Sequence, residues 1–592
     1  MDDDEAGQEV PILEKVGDPY VRLPQRTYSV PARVRLSSLT SVQVNVDAQG
    51  HNIVGDAANE PSLAVDPTNR NHIAVGWRQF DTVTSNFRQA GNGYSLDGGM
   101  SWNPHQVFTP GTFRSDPVLV PDANGTFYYN SLQQTFYTDV FTSTNAGLDY
   151  QLVGPAKGGD KQWMTCDRSK SIGRGFLYEH WSTAGNNYNG LQFSRSVDGG
   201  TTWMNPINIP GSPIWGTLDV AANGDLYLCG LSNGNFRFNR SVNARNASVT
   251  PTFDRSVTVN LGGAIIYGST INPDGLMGQA WIACDKTNGP YAGNIYMVCS
   301  VGVDTANPCQ VNFVRSSDGG LTWTTPRTLN TDTPNAGASH WFGTLAVAPS
   351  GRIDVCWFDN RANPAISNSA LYITSSYDGG VTWTPEVQAS PSFNPNIGYP
   401  NQNKMGDYLG MVSDGQGANI AYAATFNGEE DIWFLRVPDD IAMPTNATAI
   451  APSPGKVTSG SLSDVWSPDG NSYTMLSASD RKFGNIAAAE TYFVLPTTDV
   501  GSIKVKVRGT TTHSTRLIVW LWNWQKQIWE GKQTADWTGG SVNNTTITFG
   551  PGVNPYVYGN GTVRCLVQSV DPAGLTPSQF TVQYDQIQLL FG

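Results

Sequence analysis

The sequence is poor in charge, in cysteine motifs and in long apolar runs. Only 14% of its 592 residues are Asp, Glu, Lys or Arg, with 49 acidic residues against 36 basic ones. No basic cluster interrupts that balance, which excludes a nucleic-acid partner, because phosphate binding needs a cationic stripe. The longest apolar run, about Ile295 to Val303, falls short of the roughly 18 residues a membrane helix needs, so no transmembrane segment is expected. The start, Met1-Asp2-Asp3-Asp4-Glu5, is acidic and lacks an apolar stretch. The character of the rest nevertheless suggests export, with the numbering beginning after a removed signal and the protein extracellular or at the cell surface. The seven cysteines include no CxxC pair. Cys299 and Cys309 are close enough to bridge, although no pairing can be deduced, and an odd count leaves at least one thiol over. A P-loop, a dinucleotide fingerprint, an HExxH helix and an EF-hand loop are all missing, so no cofactor and no metal ligand set is indicated. A structural calcium in a surface loop is the one ion left open.

What the sequence has in abundance is Gly (62), Trp (18), Tyr (23) and Phe (23). That mixture suits many short strands, tight turns and aromatic packing between sheets, and the chain is too long for a single core. Self-similarity then organises it. Four segments share Ser-x-Asp-x-Gly-x-Ser/Thr-Trp: Ser95 to Trp102, Ser196 to Trp203, Ser316 to Trp323 and Ser376 to Trp383. Two degenerate copies begin at Ser143 and Ser241, so the Asp or Asn recurs at 97, 145, 198, 243, 318 and 378. This is the period of propeller blades with loop insertions. Ahead of each copy lie two strand-like runs joined by a turn, as in Pro61 to Asp66 and His72 to Trp77. Counting these pairs gives seven blades, with six as the alternative, and Ser41 to Val46 is expected to pair into the last blade and close the ring.

The motif resembles the Asp-box, or bacterial neuraminidase repeat, of sialidase-like β-propellers. The expected architecture is all-β: an N-terminal extension over 1–40, an Asp-box propeller over 41–437, a Pro-rich linker over 438–458 and a β-sandwich over 459–592. Runs such as Ile503 to Val507 and Leu517 to Trp522 suggest that sandwich, whose architecture loosely resembles jelly-roll accessory domains of secreted carbohydrate-active enzymes. Its Trp520, Trp522 and Trp524 alternate onto one face, to be read as core or as a sugar platform.

Blade geometry locates a site. The start of each innermost strand and the end of the second share one face of the ring, opposite the Asp-box turns. Before first strands come Glu60, Arg114, Asp116, Asp160, Lys161, Gln279, His340, Asp407 and Tyr408; after second strands come Arg78, His180 and Arg361. Tryptophans such as Trp163 and Trp341 are interleaved, and sugar rings stack on aromatic faces. Converging carboxyls and bases in a concavity make the default site, with polar blade-stitching ion pairs as the competing reading.

Three functions fit this rim. Glycoside hydrolysis needs two carboxyl groups, for which Glu60, Asp116, Asp160 and Asp407 are candidates. The sialidase resemblance implies an arginine clamp for the substrate carboxylate (Arg78, Arg114, Arg361), a tyrosine nucleophile (Tyr408) and an aspartic acid/base (Asp116 or Asp160). The family's Arg-Ile-Pro signature is missing from the first blade, and the nearest match is Arg22-Leu23-Pro24. Polysaccharide β-elimination would use His180, His340 or Tyr408 as base, with Lys161 and Arg361 neutralising a uronate. A non-catalytic propeller that binds glycan or protein, or builds a cell-surface assembly, is the third. In each case the expected partner is a glycan or polysaccharide.

Overall fold

The computed structural model describes residues 14–591 except 24–26, 31, 37–38, 104–105, 183–187, 303–307, 333–336, 365–366, 439–444, 467–470, 481–483, 496–499, 501–502, 551–552 and 572–578. The acidic start and much of the expected linker's first part lie outside the described residues. Two compact units emerge, Met1–Val437 and Pro438–Gly592. Both are built almost wholly of strands, and no described helix is long and apolar enough to cross a membrane.

Among the described residues the first unit contains a two-stranded sheet and seven larger antiparallel sheets, which follow one another along the chain. Their leading strands are Ala57–Val65, Ser115–Pro121, Trp163–Cys166, Leu218–Val220, Trp281–Cys284, His340–Val347 and Gly410–Asp414. Each leading strand lies against the next, and Gly410–Asp414 returns to Ala57–Val65, so the seven form a closed circuit. Successive hairpins carry each sheet outward, as Ile73–Phe80, Arg88–Ser95 and Gln106–Phe108 do in the first. Ile73–Phe80 is buried along its whole length, which is why it reads as a nearly continuous apolar run rather than as an alternation.

The last sheet is composite. Gly417–Ala424 and Asp431–Pro438 are followed in space by Leu39–Gln43 and then Arg33–Leu36. Pairing of Ser41 with Leu435 joins the two ends of this unit. Among the described residues before 41, Arg33–Leu36 is the outermost strand of this sheet, and Thr27–Ser29 pairs with Asn52–Val54.

The repeated Ser-x-Asp turns share one hydrogen-bond pattern. In the fifth sheet the Ser316 hydroxyl donates to Asp318 and accepts from the Gly320 N–H, while the Thr322 N–H and hydroxyl donate to Asp318 at 3.0 and 2.6 Å. The turns at 95, 196 and 376 repeat this pattern, and that at 143 repeats most of it with Asn145. The turn glycine also touches the preceding sheet. Gly320 takes φ +84° beneath the Phe238 ring, which Trp323 meets edge-on at 5.3 Å. In the first sheet, Gly99 and Trp102 press on Phe434 of the last. A Cβ on Gly320 would lie 2.0 Å from Phe238. Gly320→Ala is therefore expected to destabilise this unit by about 2–3 kcal/mol, read as a lowered urea midpoint at unchanged slope.

Among its described residues the second unit holds two antiparallel sheets, one centred on Thr581–Phe591 and the other on Thr562–Val570. Burial alternates along Ile503–Thr511, with Ile503, Val505 and Val507 buried. Contacts between the two sheets include Trp537 against Tyr584 and a 2.9 Å hydrogen bond between Ser569 and Tyr584. Trp537 belongs to this core. The Trp520, Trp522, Trp524 ladder does not: these rings are half-buried, and Arg564 lies against Trp522 and Trp529 while pairing with Glu490. All seven cysteines are buried free thiols, Cys299 and Cys309 among them.

Candidate active site

Five leading strands are entered through a residue forced into the left-handed region: Glu60 (φ 50°), Asp116 (42°), Lys161 (54°), Trp215 (55°) and Phe342 (58°). Register shifts mark the pairing in the first, second and sixth sheets, between Asn59 and Ser62, opposite Asn130–Leu132, and between Trp341 and Thr344. Such bulges re-aim a side chain at a local cost on the order of 1–3 kcal/mol. The bulge residues of the first two sheets, and the left-handed Lys161 that leads into the third, are charged.

These charged groups meet. The Lys161 ammonium lies 2.8 Å from Asp407, 3.2 Å from Asp116 and 3.7 Å from Asp160. Lys404 reaches Asp407 at 2.7 Å and Glu60 at 3.3 Å. Arg78 lies 3.1 Å from Glu60, and its Nε donates to Asn59 at 2.8 Å. The Leu276 N–H donates to Asp407 at 2.8 Å. All of these charged side chains are buried. An aromatic floor lies beside them: Trp163 meets Trp281 at 5.1 Å and Tyr408 at 5.3 Å, joining the third, fifth and seventh sheets across the circuit. The Tyr408 hydroxyl donates to the Pro117 carbonyl at 3.0 Å.

The same environment drives neighbouring carboxyls apart. Burial pushes Glu60 up to about 8, against the pull of Arg78 and Lys161. Burial acts on Asp116 in the same direction, but Lys161 and Arg78 outweigh it and hold that carboxyl at about 2. Asp407 is held well below its ordinary range by Lys161 and Lys404 despite its burial. Of these three neighbouring carboxyls only Glu60 is raised above its ordinary range. Burial also raises the Tyr408 phenol, with Glu60 and Asp116 adding to the effect.

A carboxyl whose folded pKa is raised stabilises the fold below its ordinary value and loses that contribution as pH rises through the folded one. The stability of the native protein minus that of Glu60→Gln should therefore be flat below 4.5 and fall as pH approaches 8. The slope is at most about 1.4 kcal/mol per pH unit. Urea midpoints measured across this range check it, and a difference that rises with pH would contradict it.

The remaining residues of the expected rim are engaged elsewhere. Arg114 pairs with Asp139 at 2.5 Å. Arg361 is held by Asp359 and Glu386. Each arginine of the expected clamp thus holds a carboxylate of the chain: Arg78 has Glu60, Arg114 has Asp139 and Arg361 has Asp359. His340 contacts Asp332 at 3.0 Å and Asp359 at 3.3 Å, and its other ring nitrogen lies 2.9 Å from the Cys309 carbonyl. His180 lies 3.0 Å from the Gly216 carbonyl, and burial lowers it to about 4, leaving a neutral imidazole. Trp341 is fully buried between Phe342 and Phe358, so its ring offers no face to a sugar.

Four members of the cluster escaped the sequence reading: Glu14, Arg88, Lys404 and Glu430. Glu14 is buried against Arg88, Arg78 and Lys161. Glu430 bonds Asn59 at 3.1 Å, and burial raises its carboxyl well above the usual range. Oxygens of Glu14, Asp116 and Asp160 lie within 4.8 Å of one another, a spacing suited to a cation. The Lys161 ammonium, however, is within 3.7 Å of all three and supplies that charge.

No family model and no curated protein matches this sequence. Among solved structures, the chain is similar to a protein of unknown function from Dyadobacter fermentans, at 14% identity over 67% of this chain and 98% of that one, with a TM-score of 0.38. It is similar to a PL25 ulvan lyase at 10% identity over 70% and 96% of the two chains, with a TM-score of 0.39. It is also similar to Trypanosoma rangeli sialidase at 10% identity over 95% and 96%, with a TM-score of 0.34.

Proposed function

We propose that the first unit is a seven-bladed Asp-box β-propeller of sialidase-like kind and the second a jelly-roll-like β-sandwich. In this reading the protein is extracellular, acts on carbohydrate by glycoside hydrolysis, and carries its active centre in the hub of the ring. The observation behind it is the divergence of adjoining carboxyls: Glu60 retains its proton up to about 8 while Asp116 and Asp407 stay ionised. A protonated carboxylic acid beside an ionised one is what cleavage of a glycosidic bond requires. Glu60 is the proton donor to the leaving oxygen. Asp407, or Asp116, offsets the positive charge that develops on the sugar or takes a proton from water. Arg78 and Lys161 hold an anionic group of the substrate, and Asp160 and Tyr408 support Lys161 and the floor respectively.

A second reading, a glycan-binding propeller without turnover, draws on the completeness of the ion pairing, since such a network can serve to stitch sheets together. The two separate in one assay. The protein is incubated with sialosides, uronate polymers and neutral glucans, and new reducing ends are measured. Release from an acidic glycan supports hydrolysis. Retention on a glycan array without product supports binding, and unsaturated uronate absorbance would replace hydrolysis with elimination.

A further inference from the structure

The hub already holds an anion, and the chain supplies it. Glu14 reaches in from a segment that crosses the rim of the first sheet and sets its carboxylate among Arg78, Arg88 and Lys161. We infer that residues 14–22 form a displaceable strap and that Glu14 occupies the place an acidic sugar takes in the hub. This rests on the reading of the hub as a carbohydrate site.

Three observations carry it. The first is charge. With protons on Glu60 and on Glu430, whose carboxyls burial raises, the carboxylates of Asp116, Asp160 and Asp407 face the cations of Arg78, Arg88, Lys161 and Lys404 among the described residues. One negative charge is lacking, and Glu14 provides it. A ligand carboxylate would do the same.

The second is how little else holds the strap. Glu14 is its one buried side chain, whereas Val16 is 64% and Val21 66% exposed. A segment that served only to stabilise the fold would bury its apolar side chains. The remaining contacts are polar and mostly near the surface. Asp18 accepts from the Asn86 N–H at 2.8 Å and the Ser85 hydroxyl at 3.2 Å, while its own N–H donates to the Asn86 side-chain oxygen at 2.5 Å. The Asn86 amide donates to the Val16 carbonyl at 3.2 Å and Arg88 to the Lys15 carbonyl, Lys15 pairs with Asp274 at the surface, and Tyr20 leans on Phe87. Gly17 crosses Phe113 so closely that a Cβ there would lie 2.6 Å from the ring.

The third is the anchor beyond it. Thr27–Ser29 pairs with Asn52–Val54, and Leu39–Gln43 with Asp431–Pro438, so the strap can lift without undoing the closure of the ring.

The test compares the full-length native chain with Glu14→Gln, which keeps the side-chain shape and removes its charge. Two readouts are taken: binding of tri-galacturonate by calorimetry, and hydrogen exchange of the peptide spanning 14–22. A double variant, Asp18→Cys with Asn86→Cys, ties the strap down when oxidised. The expected result is at least ten-fold tighter binding by Glu14→Gln, faster exchange in the strap, and loss of binding in the oxidised double variant that reduction restores. Equal binding by native protein and Glu14→Gln would overturn the strap while leaving the carbohydrate reading in place. Faster strap exchange with no binding by any form would support the strap and overturn the acidic-sugar reading. Unchanged exchange without binding would overturn both. Should Glu14→Gln fail to fold, the oxidised and reduced double variant decides: equal binding in both states overturns the strap.

Discussion

Lys161→Ala is expected to cost the first unit about 3–5 kcal/mol, the scale for removing one partner from a buried ion pair. The reason is specific to its surroundings. Its ammonium lies among Asp116, Asp160, Asp407 and Glu14, all of them buried. Lys161 is the largest of the influences that hold two of these carboxylates low against the pull of burial. Without it they are stranded as buried anions, or take up protons at neutral pH. The loss should therefore shrink as pH is lowered and those protons become available. Urea midpoints at pH 7 and pH 4 check both the size and the trend. A loss that is equal at the two pH values would mean that packing, not charge, dominates at this position.

The second large effect concerns turnover rather than stability. Glu60 carries its proton at neutral pH, so Glu60→Gln imitates the side chain's resting form in shape and charge while removing the transferable proton. Melting should not fall and at neutral pH should rise, since the variant lacks the carboxyl whose ionisation favours the unfolded native chain, whereas cleavage of an accepted glycan should fall by about 10²–10⁴-fold, the usual contribution of a positioned acid. Undiminished cleavage in this variant would remove Glu60 from the chemistry. A fall in melting to match the fall in cleavage would assign it a structural role instead.

How far the sequence could be read follows from which interactions are local. The Ser-x-Asp turns are self-contained hydrogen-bond systems of about seven residues, and their spacing is visible without any tertiary information. Residues that open a leading strand, Glu60, Asp116, Lys161 and Asp407, were legible as a group because strand order places all such positions at one end of the ring. Bulges then re-aim the first two, and a left-handed φ the third. Arg114, Arg361 and His340 share the same local signature, yet their direction is set by Asp139, Asp359 and Asp332, contacts that spacing does not encode. Arg88 opens a third strand and Lys404 sits in a loop, positions to which the blade pattern assigns no role. Glu14 had no strand pattern around it at all, and only the fold shows that its carboxylate ends among cations. The tryptophans misled for a related reason. Alternation tells which side chains share a face, but burial of that face depends on the sheet packed against it, so Trp341 became core while Trp520 and Trp522 stayed half-buried.

The most direct trial of the hub as a chemical centre measures reducing ends released from an acidic polysaccharide by Glu14→Gln and by the same chain also carrying Glu60→Gln. Release by the first and at least a hundred-fold slower release by the second is the expected result. Equal rates from the two chains, or release confined to neutral glucans, would contradict it.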